Sequence, residues 1–181
     1  MEIIVTRRLT LRPPLDVDAE AIARHLQDMR VSRNLTSVPH PYSLEDAHAW
    51  IEASRDDDPP AHFTIHREQL IGVVSVRPVG GKVDLGYWLC PSHWGRGYMT
   101  EAARAALSRA FRNLDCDAVH SGAYVDNHGS LRVLEKLGFR ETGGVAQHFC
   151  PTRDEEVPCK RVVLTRKNFD ARFGAQRPVA A

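Results

Sequence analysis

No stretch of the 181-residue chain approaches the roughly 20 consecutive apolar residues of a transmembrane helix, so a helical membrane span is not expected. The opening Met1-Glu2-Ile3-Ile4-Val5-Thr6-Arg7-Arg8 lacks the cationic lead, apolar core and cleavage site of a signal peptide. Cytoplasmic residence is the expectation. Charge of one sign is missing too: 24 Lys and Arg against 23 Asp and Glu leave +1, which argues against a dedicated nucleic-acid or membrane-surface binder. The four cysteines, Cys90, Cys116, Cys150 and Cys159, form no C-x-x-C pair and are too few for a disulfide framework. His148, Cys150 and Cys159 lie close in sequence, but not at the spacing of common zinc sites, and no metal is expected. Repeats, low-complexity tracts and heptads are absent.

What is present is ordinary for a folded chain, with 43% hydrophobic and 26% charged residues. A chain of this size buries roughly two thirds of its unfolded surface and needs no covalent staple. Leu9 and Leu11 alternate with Thr10 and Arg12 in a first strand, Arg8 to Arg12, stopped by Pro13-Pro14. Asp16 or Asp18 can cap a helix carrying Ala19, Ile22, Ala23 and Leu26 on one face, and Ser43 can cap a second. An irregular stretch, Arg30 to Tyr42, is expected between them. Residues 61–66, 70–76 and 83–89 alternate as a meander of strands. The period then changes to that of a helix, with Met99, Ala102, Ala103, Ala106, Leu107, Ala110 and Phe111 on one face. Residues 118–124 read as a strand, 130–137 as a helix, and 139–142 and 161–165 as two last strands. Residues 1–174 are expected to form one α/β domain on a mixed sheet, and 175–181 a frayed tail.

The chemistry concentrates after the meander. Val83-Asp84-Leu85-Gly86-Tyr87-Trp88-Leu89 leads into Trp94-Gly95-Arg96-Gly97-Tyr98-Met99-Thr100-Glu101, a strand feeding a glycine-rich turn that opens a long helix. Converging backbone N–H groups and the positive end of the helix dipole suit a pyrophosphate there, although glycines that merely relieve crowding would look the same. No Lys-Ser/Thr follows, as a P-loop requires, and the three-glycine dinucleotide fingerprint is absent. A second segment, Asn127-His128-Gly129-Ser130 through Leu137-Gly138-Phe139, leaves a strand and forms a short helix ended by glycine.

Together with Thr6-Arg7-Arg8-Leu9-Thr10-Leu11-Arg12-Pro13, these segments make the chain resemble the GNAT superfamily of acetyl-CoA-dependent N-acetyltransferases. The resemblance is greatest to the branch of bacterial enzymes that acetylate N-terminal alanine or serine of ribosomal proteins. It implies a mostly antiparallel sheet of about seven strands, splayed at its centre and flanked by about four helices. Acetyl-CoA would lie in the gap, its pantetheine pairing with the backbone of Tyr87, Trp88 and Leu89. Its pyrophosphate would sit in the Trp94-Gly95-Arg96-Gly97 turn, on the amides of Arg96, Gly97, Tyr98, Met99 and Thr100. Asn127 would hold the pantetheine from the other side, and Ser130 would point at the sulfur. Two positions depart from the family pattern: Met99 is bulkier than usual, and Leu134 stands where many relatives carry the tyrosine that protonates the departing thiolate. Ser130 or a water must then serve as the acid.

The resemblance implies direct transfer to an amine, without an acyl-enzyme. A general base helps in proportion to the acceptor's basicity. Asp84 occupies a strand position where some relatives place a catalytic carboxylate, but also reads as an exposed strand residue. His148, expected after the sixth strand on the acceptor side, titrates in a suitable range but also reads as a surface histidine. Glu101 reads as a dipole-compensating residue. Acceptor choice is assigned to the Arg30–Tyr42 stretch and a Gly143–Pro158 loop. There Asp154-Glu155-Glu156 can attract a cationic amine, or Arg33 and His40 a carboxylate-bearing one. A protein N-terminal α-amine, a small amine such as a polyamine, amino acid derivative or aminoglycoside, and a non-catalytic acyl-CoA-binding module all remain open. So does the choice of monomer or homodimer.

Overall fold

The computed structural model describes residues 2–57 and 59–174, so the expected tail 175–181 lies outside the described residues. Eight strands form one sheet: β1 (Ile4–Val5), β2 (Thr10–Arg12), β3 (His62–His66), β4 (Leu70–Val79), β5 (Lys82–Leu89), β6 (Ala118–Tyr124), β7 (Arg140–Cys150) and β8 (Glu155–Thr165). Their spatial order is β1-β2-β3-β4-β5-β6-β8-β7. Every neighbouring pair is antiparallel except β5 and β6. That one parallel pair is registered only at Val83–Val119 and Asp84–His120. Beyond Asp84 the two strands diverge. The splayed mixed sheet is therefore as expected, with eight strands in place of about seven.

Six helices flank it: α1 (Ala19–Leu26), α2 (Met29–Ser32), α3 (Leu44–Ala53), α4 (Tyr98–Asn113), α5 (His128–Leu137) and α6 (Arg166–Phe173). The apolar face of α4 packs with Leu11, Ile65, Val74, Val76 and Leu85 of the sheet, and Leu134 and Leu137 of α5 join that core. Fully burying Leu107 or Phe111 there contributes about 1.5–3 kcal/mol each. On the opposite face α1 and α3 bury Ile22, Leu26, Ala47 and Ile51 with Leu70, and half-buried Trp88 packs against them.

The local signals succeed in part. Ser43 caps α3, accepting from the Asp46 N–H while the Asp46 carboxylate accepts from Ser43 N–H. Asp18 precedes α1 but does not cap it. Its buried carboxylate accepts instead from the Leu15 N–H and from Arg12 at 2.7 and 2.8 Å. The short α2 interrupts the stretch expected to be irregular. Its cap is Asp28, whose side chain accepts from the Arg30 N–H.

The largest correction is at the C-terminal side. The expected Gly143–Pro158 loop is the body of a long hairpin, in which Val145 to Cys150 pair with Lys160 to Glu155. The Gly143-Gly144 step that reads as a break is a register shift, both glycines having positive φ (82° and 81°). Strand β8 inserts between β6 and β7, and its Pro158 lies where β6 has already ended, so the missing N–H costs no bond to that neighbour.

Candidate active site

Side chains alternate across β5. Leu85, Tyr87 and Leu89 pack toward the α4–α5 core, and Trp88 toward α1 and α3. The backbone alternates as well. The Leu85 carbonyl accepts from the Ser121 hydroxyl on β6 at 2.8 Å, and the Leu89 carbonyl from the Trp94 indole at 2.6 Å. Tyr87, two residues from each, turns its N–H and C=O to the same open side, whereas the Trp88 backbone turns to β4. Of the expected trio, Tyr87 and the Leu89 N–H are thus the free polar groups of the β5 wall. Trp88 offers its ring to the other face, 6.0 Å from that of His25.

At the end of β5 the chain turns through Gly95 and Gly97, with φ of 74° and 76°, directly into α4. Left-handed residues here favour glycine, and Gly97 ends the turn with no side chain to cap the helix. The first helical bond is Glu101 N–H to Gly97 C=O, and among the described residues the N–H groups of Tyr98, Met99 and Thr100 have no acceptor. Met99 turns into the core, 6% exposed, so its bulk leaves the turn open.

Arg8 holds this turn from outside. Its Nη1 donates to the Arg96 carbonyl at 3.1 Å, its Nε to Glu101 at 2.6 Å, and its guanidinium covers the Tyr98 ring at 4.6 Å. Glu101 also accepts from the Thr6 hydroxyl and the Arg8 N–H. Burial alone would raise its pKa, but these bonds and the Arg8 charge hold it below the ordinary value. Glu101 is therefore a structural tie as well as a first-turn acid. In the sequence Arg8 carries no separate signal beyond its place in the Thr6–Pro13 segment.

Across the gap, the Asn127 side chain caps α5 by accepting from the Ser130 N–H at 3.1 Å. The Ser130 hydroxyl lies 2.8 Å from the Tyr87 hydroxyl, which is also 3.2 Å from the Ser130 carbonyl. Burial pushes the Tyr87 phenol well above its usual pKa, against the pull of the Ser130 bond, so it stays protonated. The sequence points only to the Tyr87 backbone, but its parity with Leu85 and Leu89 aims its ring at α5. Leu134 is buried core.

Asp84 does not join Ser130. It lies on the opposite side-chain face of β5, at the last residue paired to β6, beside His120, with Arg161 of β8 at 3.5 Å. Burial raises its pKa, and Arg161, His120 and Arg77 pull it back. His148 is on β7 rather than in a loop beyond it, on the side of β7 shared with Cys150, whose neighbours are Tyr124, Val157 and Cys159. No hydrogen bond or ion pair joins it to Asp84 or Ser130 among the described residues.

The sheet thus opens between parallel strands, with free amides at a glycine turn on one rim and a capped serine across the gap. The chain belongs to the GNAT acetyltransferases: residues 8–140 match the acetyltransferase (GNAT) domain. It is 29% identical over 157 residues to the uncharacterized N-acetyltransferase YoaA of Bacillus subtilis, covering 81% of this chain and 87% of that protein. To the ribosomal-protein-serine acetyltransferase of Escherichia coli it is 32% identical over 89 residues, 47% of this chain and 50% of the relative. Among solved structures, a GNAT-family acetyltransferase from Bacillus anthracis superposes with TM-score 0.78 at 21% identity, covering 92% of this chain and 99% of that one. Mycobacterium smegmatis RimJ, in complex with CoA-disulfide, superposes with TM-score 0.76 at 20% identity, covering 92% and 88%. The chain is an N-acetyltransferase.

Proposed function

We propose that this enzyme moves the acetyl group of acetyl-CoA directly to the α-amine of a peptide or protein N-terminus. The observation that carries the reading is the β5–β6 gap, with the Tyr87 backbone on one wall and Asn127 and Ser130 on the other. Resemblance to a ribosomal-protein-serine acetyltransferase and to RimJ supports the acceptor class.

The amides of Tyr98, Met99 and Thr100 and the Gly95–Gly97 turn would take the pyrophosphate, where the helix dipole favours negative charge. Arg96 adds a cation at that rim. Tyr87 N–H and C=O would pair with the pantetheine as an added strand does, and the Asn127 Nδ2, free of the cap, would meet it from α5. When the Tyr87 phenol gives its one proton to Ser130 Oγ rather than to the Ser130 carbonyl, the serine's own proton is free to point into the gap. There it hydrogen-bonds the sulfur as the C–S bond breaks and negative charge develops. Asp84, or a water it holds, takes the proton that the attacking amine loses. An α-amine titrates near 8, about two units below a lysine, so a modest base suffices.

Mass spectrometry after incubation with acetyl-CoA and a panel of Ala- and Ser-initiated peptides, a lysine peptide, polyamines and aminoglycosides tests this. We expect acetylation of the peptide α-amines. Acetylation confined to small amines would move the acceptor class, and failure to bind acetyl-CoA would overturn the donor.

A further inference from the structure

The seam between β5 and β6 closes on a single side chain. Each strand keeps its other partner for its whole length: β5 stays paired to β4 out to Leu89, and β6 to β8 out to Tyr124. Their own parallel pairing stops at Asp84–His120. A further rung of that ladder would give the Leu85 carbonyl a backbone N–H of β6. The Ser121 hydroxyl takes its place, donating to that carbonyl at 2.8 Å. Past Leu85, no hydrogen bond joins the two strands among the described residues. Ser121 is 1% exposed, and Val119 and Ala123, on its side of β6, are buried with Leu85 in the core under α4 and α5. A hydroxyl is stable among such neighbours because its bond satisfies both itself and a carbonyl that the diverging strands would otherwise orphan.

We infer that Ser121 sets the floor of the acyl pocket and makes the enzyme selective for a two-carbon acyl group. The inference rests on the acetyl-CoA reading and deepens it by assigning the residue that limits acyl length. The glycine turn lies at the Leu89 end of the seam, so a pantetheine paired to the Tyr87 backbone carries its thioester toward Leu85. From Tyr87 to Leu85 the strand rises two residues, about 7 Å, which is room for the thioester and a methyl group. A longer chain meets the Ser121–Leu85 bond and, behind it, close-packed side chains that yield little volume. Opening the seam one residue further requires breaking that bond inside the core. The limit is thus held by a hydrogen bond rather than by bulk, and loss of the hydroxyl lets the strands part further.

Calorimetric titration with acetyl-, propionyl- and butyryl-CoA and with free CoA tests this without an acceptor, for wild type, Ser121→Ala, Ser121→Gly and Ser121→Thr. Relative to free CoA, wild type is expected to lose affinity about tenfold for each methylene added beyond acetyl. Ser121→Ala and Ser121→Gly should cut that penalty to about threefold or less, and Ser121→Thr, which keeps the hydroxyl, should retain it. The ratio separates this role from a structural one, because a variant that only loosened the fold would weaken all four ligands alike. Should both small variants fail to fold, Ser121→Cys, close in size and a weaker donor, takes their place. Equal affinity of wild type for acetyl- and butyryl-CoA, or a penalty that survives loss of the hydroxyl, overturns the inference and leaves the acetyl-CoA reading standing. Binding of none of the four by wild type overturns that reading and takes the inference with it.

Discussion

Asp84 is raised in pKa by burial and pulled back by Arg161, His120 and Arg77. A base works only when ionised, so kcat/KM should fall as pH drops through this raised value. Asp84→Asn should abolish that acidic limb along with most of the rate for basic acceptors. Arg161→Met removes the nearest cation, so the limb should move to higher pH. A pH–rate profile of Asp84→Asn that keeps the limb would exclude Asp84 as the base. Stability has the opposite sign: a carboxyl with a raised folded pKa binds its proton more tightly when folded, so its contribution fades as pH rises through that pKa. Urea unfolding should therefore find Asp84→Asn gaining relative to wild type from pH 3 to pH 7. Tyr87 and Ser130 form the other residue-scale unit. Tyr87→Phe frees Ser130 to turn its proton to a backbone oxygen, which should lower kcat about tenfold or more with little change in acetyl-CoA affinity. An unchanged kcat would reduce Tyr87 to packing.

At the scale of elements, the β5–turn–α4 unit depends on two glycines in left-handed conformation. A Cβ at Gly97 would meet nothing closer than the flexible end of Arg8 at 3.6 Å, so crowding is not the obstacle. The obstacle is φ, which costs a non-glycine residue about 1–2 kcal/mol. Gly97→Ala should lower Tm by about 2–4 °C per kcal/mol in a domain of this size, and should weaken acetyl-CoA binding as the turn relaxes. Calorimetry with and without acetyl-CoA checks both; full affinity in Gly97→Ala would place the pyrophosphate elsewhere. This unit was legible in the sequence because its signals are local: glycines and a period change. The β7–β8 hairpin was not, because Gly143-Gly144 and Pro158 are also loop signals. Only pairing to β6 and β7 shows that a register shift and the end of β6 absorb them.

For the molecule as a whole, Arg153 joins the hairpin, the end of β6 and α2. Arg153→Ala strands Asp126 and unties the Arg33 carbonyl, an expected loss of about 1–2 kcal/mol. Hydrogen exchange should then accelerate in α2 and the β7–β8 turn together. Acceleration in one alone would mean that the clamp does not couple them.

The order of the strands β2 to β8 and of the helices α1, α3, α4 and α5, the glycine turn and the family are legible in the sequence, since each rests on neighbours within about a helical turn or on a motif carried in order; β1, α2 and α6 are not. Tertiary structure alone decided that Tyr87 meets Ser130, 43 residues apart in sequence, that Arg8 seals the turn, that Asp84 faces Arg161 on the other side of the sheet, and that Arg153 ties the β7–β8 turn to α2. The physical reason is common to all four. Each contact crosses between elements whose register and side are set by the whole sheet, and a side chain's parity within its own strand does not name the partner waiting opposite.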